Sequence, residues 1–257
     1  MSEPILETRK ISKRFGNIQA LNSVDISIHA NSVLALCGDN GAGKSTLIKI
    51  ISGVYTPDSG EIFSFGKKIA INSPRSAYEL GIETVYQDLA LCENLNVIQN
   101  LFLGREKPFQ GSWIANLFLD NKTMFKEAKK VFDILGTTIP SLSNQISTLS
   151  GGQRQAVAIA RAVVWGSKLV ILDEPTAALG VDQTENVHKI IKNLRNQGVG
   201  VVLITHNMED VFALADKVIV LRQGSKNAEM MVSDCTSDDV VKAITGSSIN
   251  DNNKNGK

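Results

Sequence analysis

Apolar residues first recur at every second position: Val24, Ile26 and Ile28 alternate with polar neighbours. Residues 5–37 as a whole read as β-structure, ending in an unbroken apolar strand, SVLALCG, after a turn at Asn31. The helix predicted in GKSTLIKIISG stops at Gly53, and TPDSGEI places Pro57, Asp58 and Gly60 in the order a type I turn favours. From about 88 to 165 the strand signal fades, and Met124, Ala128, Val131 and Leu135 recur at helical spacing up to a stop at Gly136. From 168 strands and helices alternate again: KLVILDEP, a helix near 182–196, GVGVVLITHN, a short helix near 208–215, then KVIVLRQG. The pattern predicts an α/β core over about 1–88 and 166–245, interrupted by a helical insertion over about 89–165. Together these form one domain, 1–245, and the polar tail 246–257 is expected to be disordered.

Composition narrows the function classes. Acidic and basic residues nearly cancel, leaving a net charge of +1, which argues against electrostatically driven nucleic-acid binding. The longest apolar runs, VLALC and VVLI, are strand-sized and far short of the roughly 20 residues of a membrane helix. The opening MSEPILETRK has no signal-peptide core, so the expectation is a protein that stays in the cytosol. Cys37, Cys92 and Cys235 are odd in number and widely spaced, which predicts reduced thiols. His29, His188 and His206 are too scattered to suggest a metal cluster.

Chemistry concentrates in a few short stretches. GDNGAGKST carries the full Gly-x4-Gly-Lys-Ser phosphate-loop pattern between a strand and a helix, in Gly38, Asp39, Asn40, Gly41, Ala42, Gly43, Lys44, Ser45 and Thr46. Its backbone N–H groups suit phosphate oxygens, Lys44 suits the β- and γ-phosphates of ATP, and Ser45 can ligate Mg2+. LVILDEP ends an apolar run on two carboxylates. Asp173 would hold Mg2+ directly or through water, and Glu174 would act as general base; the alternative is an acidic pair capping the next helix. Gln87 stands where β-structure gives way to the insertion, placed to contact Mg2+ or the lytic water, and His206 ends LITH within reach of a γ-phosphate. A second anion site is suggested by LSGGQ, where Ser150, Gly151, Gly152 and Gln153 open a helix. A plain serine cap would account for Ser150 but not for two glycines.

In this order the phosphate loop, Gln87, LSGGQ, LVILDEP and LITH resemble the nucleotide-binding subunit of an ABC transporter over nearly the whole chain. The resemblance implies an α/β P-loop NTPase core with an N-terminal antiparallel β-subdomain and an inserted helical subdomain. It also implies that Ser150, Gly151 and Gly152 bind the γ-phosphate held by a second copy, in an ATP-dependent homodimer. Phe15 matches the aromatic on which adenine stacks, though a core position is equally open to it. Gly180 stands where most of the family has Asp, and whether Asp182 takes that role stays open. NSVLALCGDNGAGKST, VYQDLALCENLNVIQNLFLGRE and DEPTAALGV look like the bacterial monosaccharide importers of the ribose, xylose and fructose type. That implies a peripheral subunit on the cytoplasmic face of the membrane. Its partners are an integral membrane permease and, indirectly, an extracytoplasmic sugar-binding protein. The permease's helices would seat near Gln87 to Arg105, with Arg105 and Glu106 themselves expected as solvated surface. Importers of nucleosides or branched-chain amino acids, and non-transport ABC ATPases, are the alternatives.

Overall fold

Two sheets organise the chain in the computed structural model, which describes residues 3–109 and 118–246. The first is antiparallel, in the order β2-β1-β4-β5, from β1 (Leu6–Phe15), β2 (Ile18–Ile28), β4 (Ser59–Ser64) and β5 (Lys67–Ile69). Phe15 pairs with Ile18 across a two-residue hairpin loop containing Gly16, whose φ of 56° suits it to the turn. The second sheet has the order β10-β9-β3-β8-β7-β6. Its members are β3 (Val33–Cys37), β6 (Ile82–Val85), β7 (Leu169–Asp173), β8 (Gly200–Ile204), β9 (Lys217–Arg222) and β10 (Ser225–Met231), parallel except for the β9–β10 hairpin. Every residue of β3 and β8 is buried, which is why these strands read as unbroken apolar runs rather than alternating ones.

The helices are α1 (Lys44–Ile51), α2 (Pro74–Glu79), α3 (Val97–Phe102), α4 (Asn121–Leu135), α5 (Gly151–Val163), α6 (Val181–Asn196), α7 (Met208–Leu214) and α8 (Ser237–Thr245). Side-chain alternation along the parallel strands sorts them between two cores. Leu34, Leu36, Ile171, Val202 and Ile204 pack with α1 and the antiparallel sheet. Val170, Leu172, Val201 and Leu203 pack with α3, α4, α5 and α6. The insertion's helices therefore share one apolar core with the sheet. In α4, Met124, Ala128, Val131 and Leu135 are all buried, and Gly136 ends the helix with φ 66°. The polar tail from 247 onward lies outside the described residues.

Candidate active site

The parallel sheet presents the carboxyl ends of β3, β8 and β7 side by side, the edge at which open α/β sheets gather their ligands. The phosphate loop follows β3. Gly43 caps α1 with φ 106°, and a Cβ there would lie 2.7 Å from the carbonyl oxygen of Ala20, so only glycine fits. Leu47 donates to the carbonyl of Gly43 at 2.9 Å, leaving the N–H groups of Lys44, Ser45 and Thr46 ahead of the helical ladder. Lys44 folds over the loop, its Nζ donating to the carbonyls of Gly38 at 2.5 Å and Asp39 at 3.1 Å. Asp39, Asn40, Gly41 and Ser45 are exposed, while Ala42 is buried beneath the loop.

Asp173 is the last residue of β7 and pairs with Ile204, the last of β8. This register puts Glu174 beside the turn that carries His206, and His206 Nδ1 lies 2.8 Å from Glu174 Oε1. Glu174 adopts φ 50°, a left-handed conformation uncommon for a residue with a side chain, held by its N–H donating to the Ile204 carbonyl at 2.9 Å. Burial raises the Asp173 carboxyl above its usual range and the neighbouring Glu174 charge adds to this, with Lys44 and Lys49 pulling the other way.

Gln87 is exposed just beyond β6. It lines a cavity of about 430 Å3 together with Gly151, Arg154, Glu174 and Leu179, and none of residues 38–46 lines it. The structure thus brings Gln87, Glu174 and the start of α5 to one space. At that start Ser150 and Gln153 satisfy each other: Gln153 N–H donates to Ser150 Oγ at 3.3 Å and Ser150 N–H to Gln153 Oε1 at 3.0 Å. The N–H groups of Gly151 and Gly152 remain ahead of the ladder. The glycines also have a packing reason, since a Cβ on Gly152 would lie 3.0 Å from Gln183 Cβ and one on Gly151 3.2 Å from Leu179 Cδ2.

Phe15 is not a core residue. It is 41% exposed at the hairpin end, edge-on to Tyr55 with ring centroids 5.2 Å apart. Arg105 corrects the expectation of solvated surface: its guanidinium lies 3.6 Å from the Tyr78 ring centroid and 3.1 Å from Glu83 Oε1. Glu106 stays exposed.

Residues 21–177 match the family model described as ABC transporter. The chain belongs to the ABC transporter family. Over 248 residues this ABC chain is 47% identical to the fructose import ATP-binding protein FrcA of Rhizobium meliloti, spanning 95% of each. It is 48% identical over 221 residues to the xylose/arabinose import ATP-binding protein XylG of Sulfolobus acidocaldarius, spanning 86% of this chain and 85% of that one. An ATP-binding cassette of an ABC transporter solved in its ADP conformation superposes with a TM-score of 0.81 at 29% identity, over 95% of this chain and 99% of that one.

Sequence reading passed over two groups that the ABC fold places around these loops. Arg161 of α5 donates to the carbonyls of Leu89 at 2.8 Å and Ala90 at 2.7 Å, clasping the segment that follows Gln87. Asp210 of α7 is wholly buried behind the Glu174 and His206 turns. Neither lies in a recognisable motif, so only its distant partners mark it.

Proposed function

We propose that this chain is the ATP-binding and ATP-hydrolysing subunit that powers uptake of a monosaccharide through an ABC membrane transporter. The observation that carries this reading is the convergence, on one edge of the parallel sheet, of the phosphate loop, Asp173 and the Glu174–His206 pair. The relatives named as fructose and xylose/arabinose import ATP-binding proteins, which match at almost full length, support the cargo class.

The loop N–H groups and Lys44 cradle the phosphates of ATP, Lys44 exchanging its two carbonyl contacts for phosphate oxygens. Phe15, exposed beside Tyr55, offers its ring to adenine. Asp173 suits a divalent cation: it is a half-buried hard-oxygen donor at the carboxyl end of β7, beside the phosphate loop's Lys44. Asp173, Ser45 and Gln87 would hold Mg2+, which when bound neutralises charge on the β- and γ-phosphates. Glu174 takes a proton from the attacking water, and His206, bonded to Glu174, orients it and meets the γ-phosphate. Gly151 and Gly152 contact the γ-phosphate held by a second copy, so that two chains close around two nucleotides; hydrolysis lets them part.

Among the described residues no helix is long and apolar enough to cross a membrane. The chain is held peripherally at the cytoplasmic face by the permease, whose helices seat in the groove of about 600 Å3 bounded by Tyr78, Glu83, Thr84, Tyr86, Arg105 and Trp165. A sugar-binding protein outside the cell reaches this subunit only through the permease. Phosphate release from Mg·ATP by the purified protein, compared with Glu174→Gln, tests the reading; hydrolysis independent of Glu174 overturns it.

A further inference from the structure

Asp210 is 0% exposed, and burying a carboxylate is costly unless its oxygens are fully used. Here three elements use them. His188 Nε2 of α6 lies 2.7 Å from Oδ1; Thr176 Oγ1 donates to Oδ2 at 2.5 Å; Thr205 Oγ1 reaches Oδ2 at a longer 3.4 Å. Thr205 Oγ1 in turn accepts from the N–H of Asn207 at 3.0 Å. Thr176 comes two residues after Glu174, and Thr205 immediately precedes His206. Both turns that carry the reacting pair therefore end on one carboxylate, anchored from behind by the imidazole of His188.

We propose that Asp210 is a positioning residue for ATP hydrolysis, fixing the 2.8 Å Glu174–His206 contact through Thr176 and Thr205. The inference rests on the assignment of Glu174 and His206 above. A network that merely stabilised the fold would set the melting temperature and leave the chemistry untouched. One that positions the pair controls kcat, because Glu174 is held in a left-handed conformation from which a small relaxation of its turn moves the carboxylate off line.

The test is steady-state ATPase kinetics of the full chain bearing Thr176→Val, Thr176→Ser, Asp210→Asn or Glu174→Gln, with fluorescent-ATP binding measured on each. Thr176→Val keeps the side-chain shape and removes the hydroxyl. It is expected to lower kcat by about tenfold or more, with KM for ATP within about twofold, and Thr176→Ser to restore it. Asp210→Asn is expected to lose at least as much, and adding Thr176→Val to Glu174→Gln to cost nothing further. An unimpaired Thr176→Val beside an inactive Glu174→Gln overturns the positioning role alone. Near-normal turnover by Glu174→Gln removes the assigned base, and this proposal with it.

Discussion

His206 Nδ1 and Glu174 Oε1 meet at 2.8 Å although 32 residues separate them, because β7 and β8 are parallel neighbours in a register that pairs Asp173 with Ile204. The Glu174 side chain is 17% exposed and that of His206 80%, so the histidine closes the site from outside. Glutamine at 174 keeps an oxygen for the imidazole and loses only the basic carboxylate. Glu174→Gln is therefore expected to bind ATP normally and to turn over about a hundredfold more slowly or worse, in parallel binding and phosphate-release assays. Near-normal turnover would sink the assignment of the base.

Lys44 spans the phosphate loop through two charge-assisted contacts, to the carbonyls of Gly38 and Asp39. Contacts of this kind are worth about 1.5–3 kcal/mol each, and phosphate oxygens would take them over. Lys44→Ala is expected to weaken ATP binding by about a hundredfold or more by calorimetry, while the protein still melts cooperatively. Tight binding in that variant would contradict the phosphate role of the loop.

Locally encoded features were readable in the sequence, and features made by distant contacts were not. The phosphate loop, the turn at Asn31, now seen with φ 55°, and the stop at Gly136 each depend on a few adjacent residues. At Gly151 and Gly152 the sequence suggests an anion site, whereas the packing that also calls for glycine, the approach of Gln183 and Leu179, needs α6 and the turn before it in place. His188 looked like one of three scattered histidines until folding set it against Asp210. Arg105 looked like a surface cation until Tyr78 and Glu83 were brought to it.

That packing makes Gly152→Ala informative. Alanine gains about 1 kcal/mol of helix propensity, but its Cβ would sit 3.0 Å from Gln183 Cβ, close to backbone that cannot swing away. Overpacking costs about 1–3 kcal/mol, so a lower melting temperature is expected for Gly152→Ala. Gly151→Ala meets only the far ends of the Leu179 and Gln183 side chains, at 3.2 and 3.4 Å, and is expected to melt at or above the wild-type temperature. Equal melting of the two would show that Gln183 yields freely.

The Glu83–Arg105 pair predicts a pH dependence. Burial raises the Glu83 carboxyl above its usual range, and Arg105, with a smaller contribution from Arg161, only partly opposes this. A raised folded-state value means that the folded chain holds this proton more tightly than the unfolded one. Stability from this group is present at low pH and is lost as pH rises through the folded value. Arg105→Ala leaves the ionised carboxylate with only the Arg161 charge to offset its burial, an expected cost of about 1–2 kcal/mol near pH 7.5 that shrinks near pH 5 as Glu83 takes up its proton. Denaturant melts at the two pH values check this; an equal cost at both would assign the contact to stacking on Tyr78 alone.

Gly180 bears directly on the pairing of two chains in the proposed mechanism. Gly180 caps α6 without a side-chain hydrogen bond, and a Cβ there would meet nothing within 4 Å. The carboxylate usual in the family is missing although space for it exists, so its absence is not forced by packing. Sedimentation of the Glu174→Gln protein, where bound ATP persists, is expected to show the 27.8 kDa chain doubling in mass on addition of Mg·ATP. Gly180→Asp should add a few tenths of a kcal/mol through the cap and leave the doubling intact. If only Gly180→Asp doubles, the carboxylate is needed for closure and a natural partner must supply it. If neither does, closure requires the permease or a different second half, and the homodimer falls.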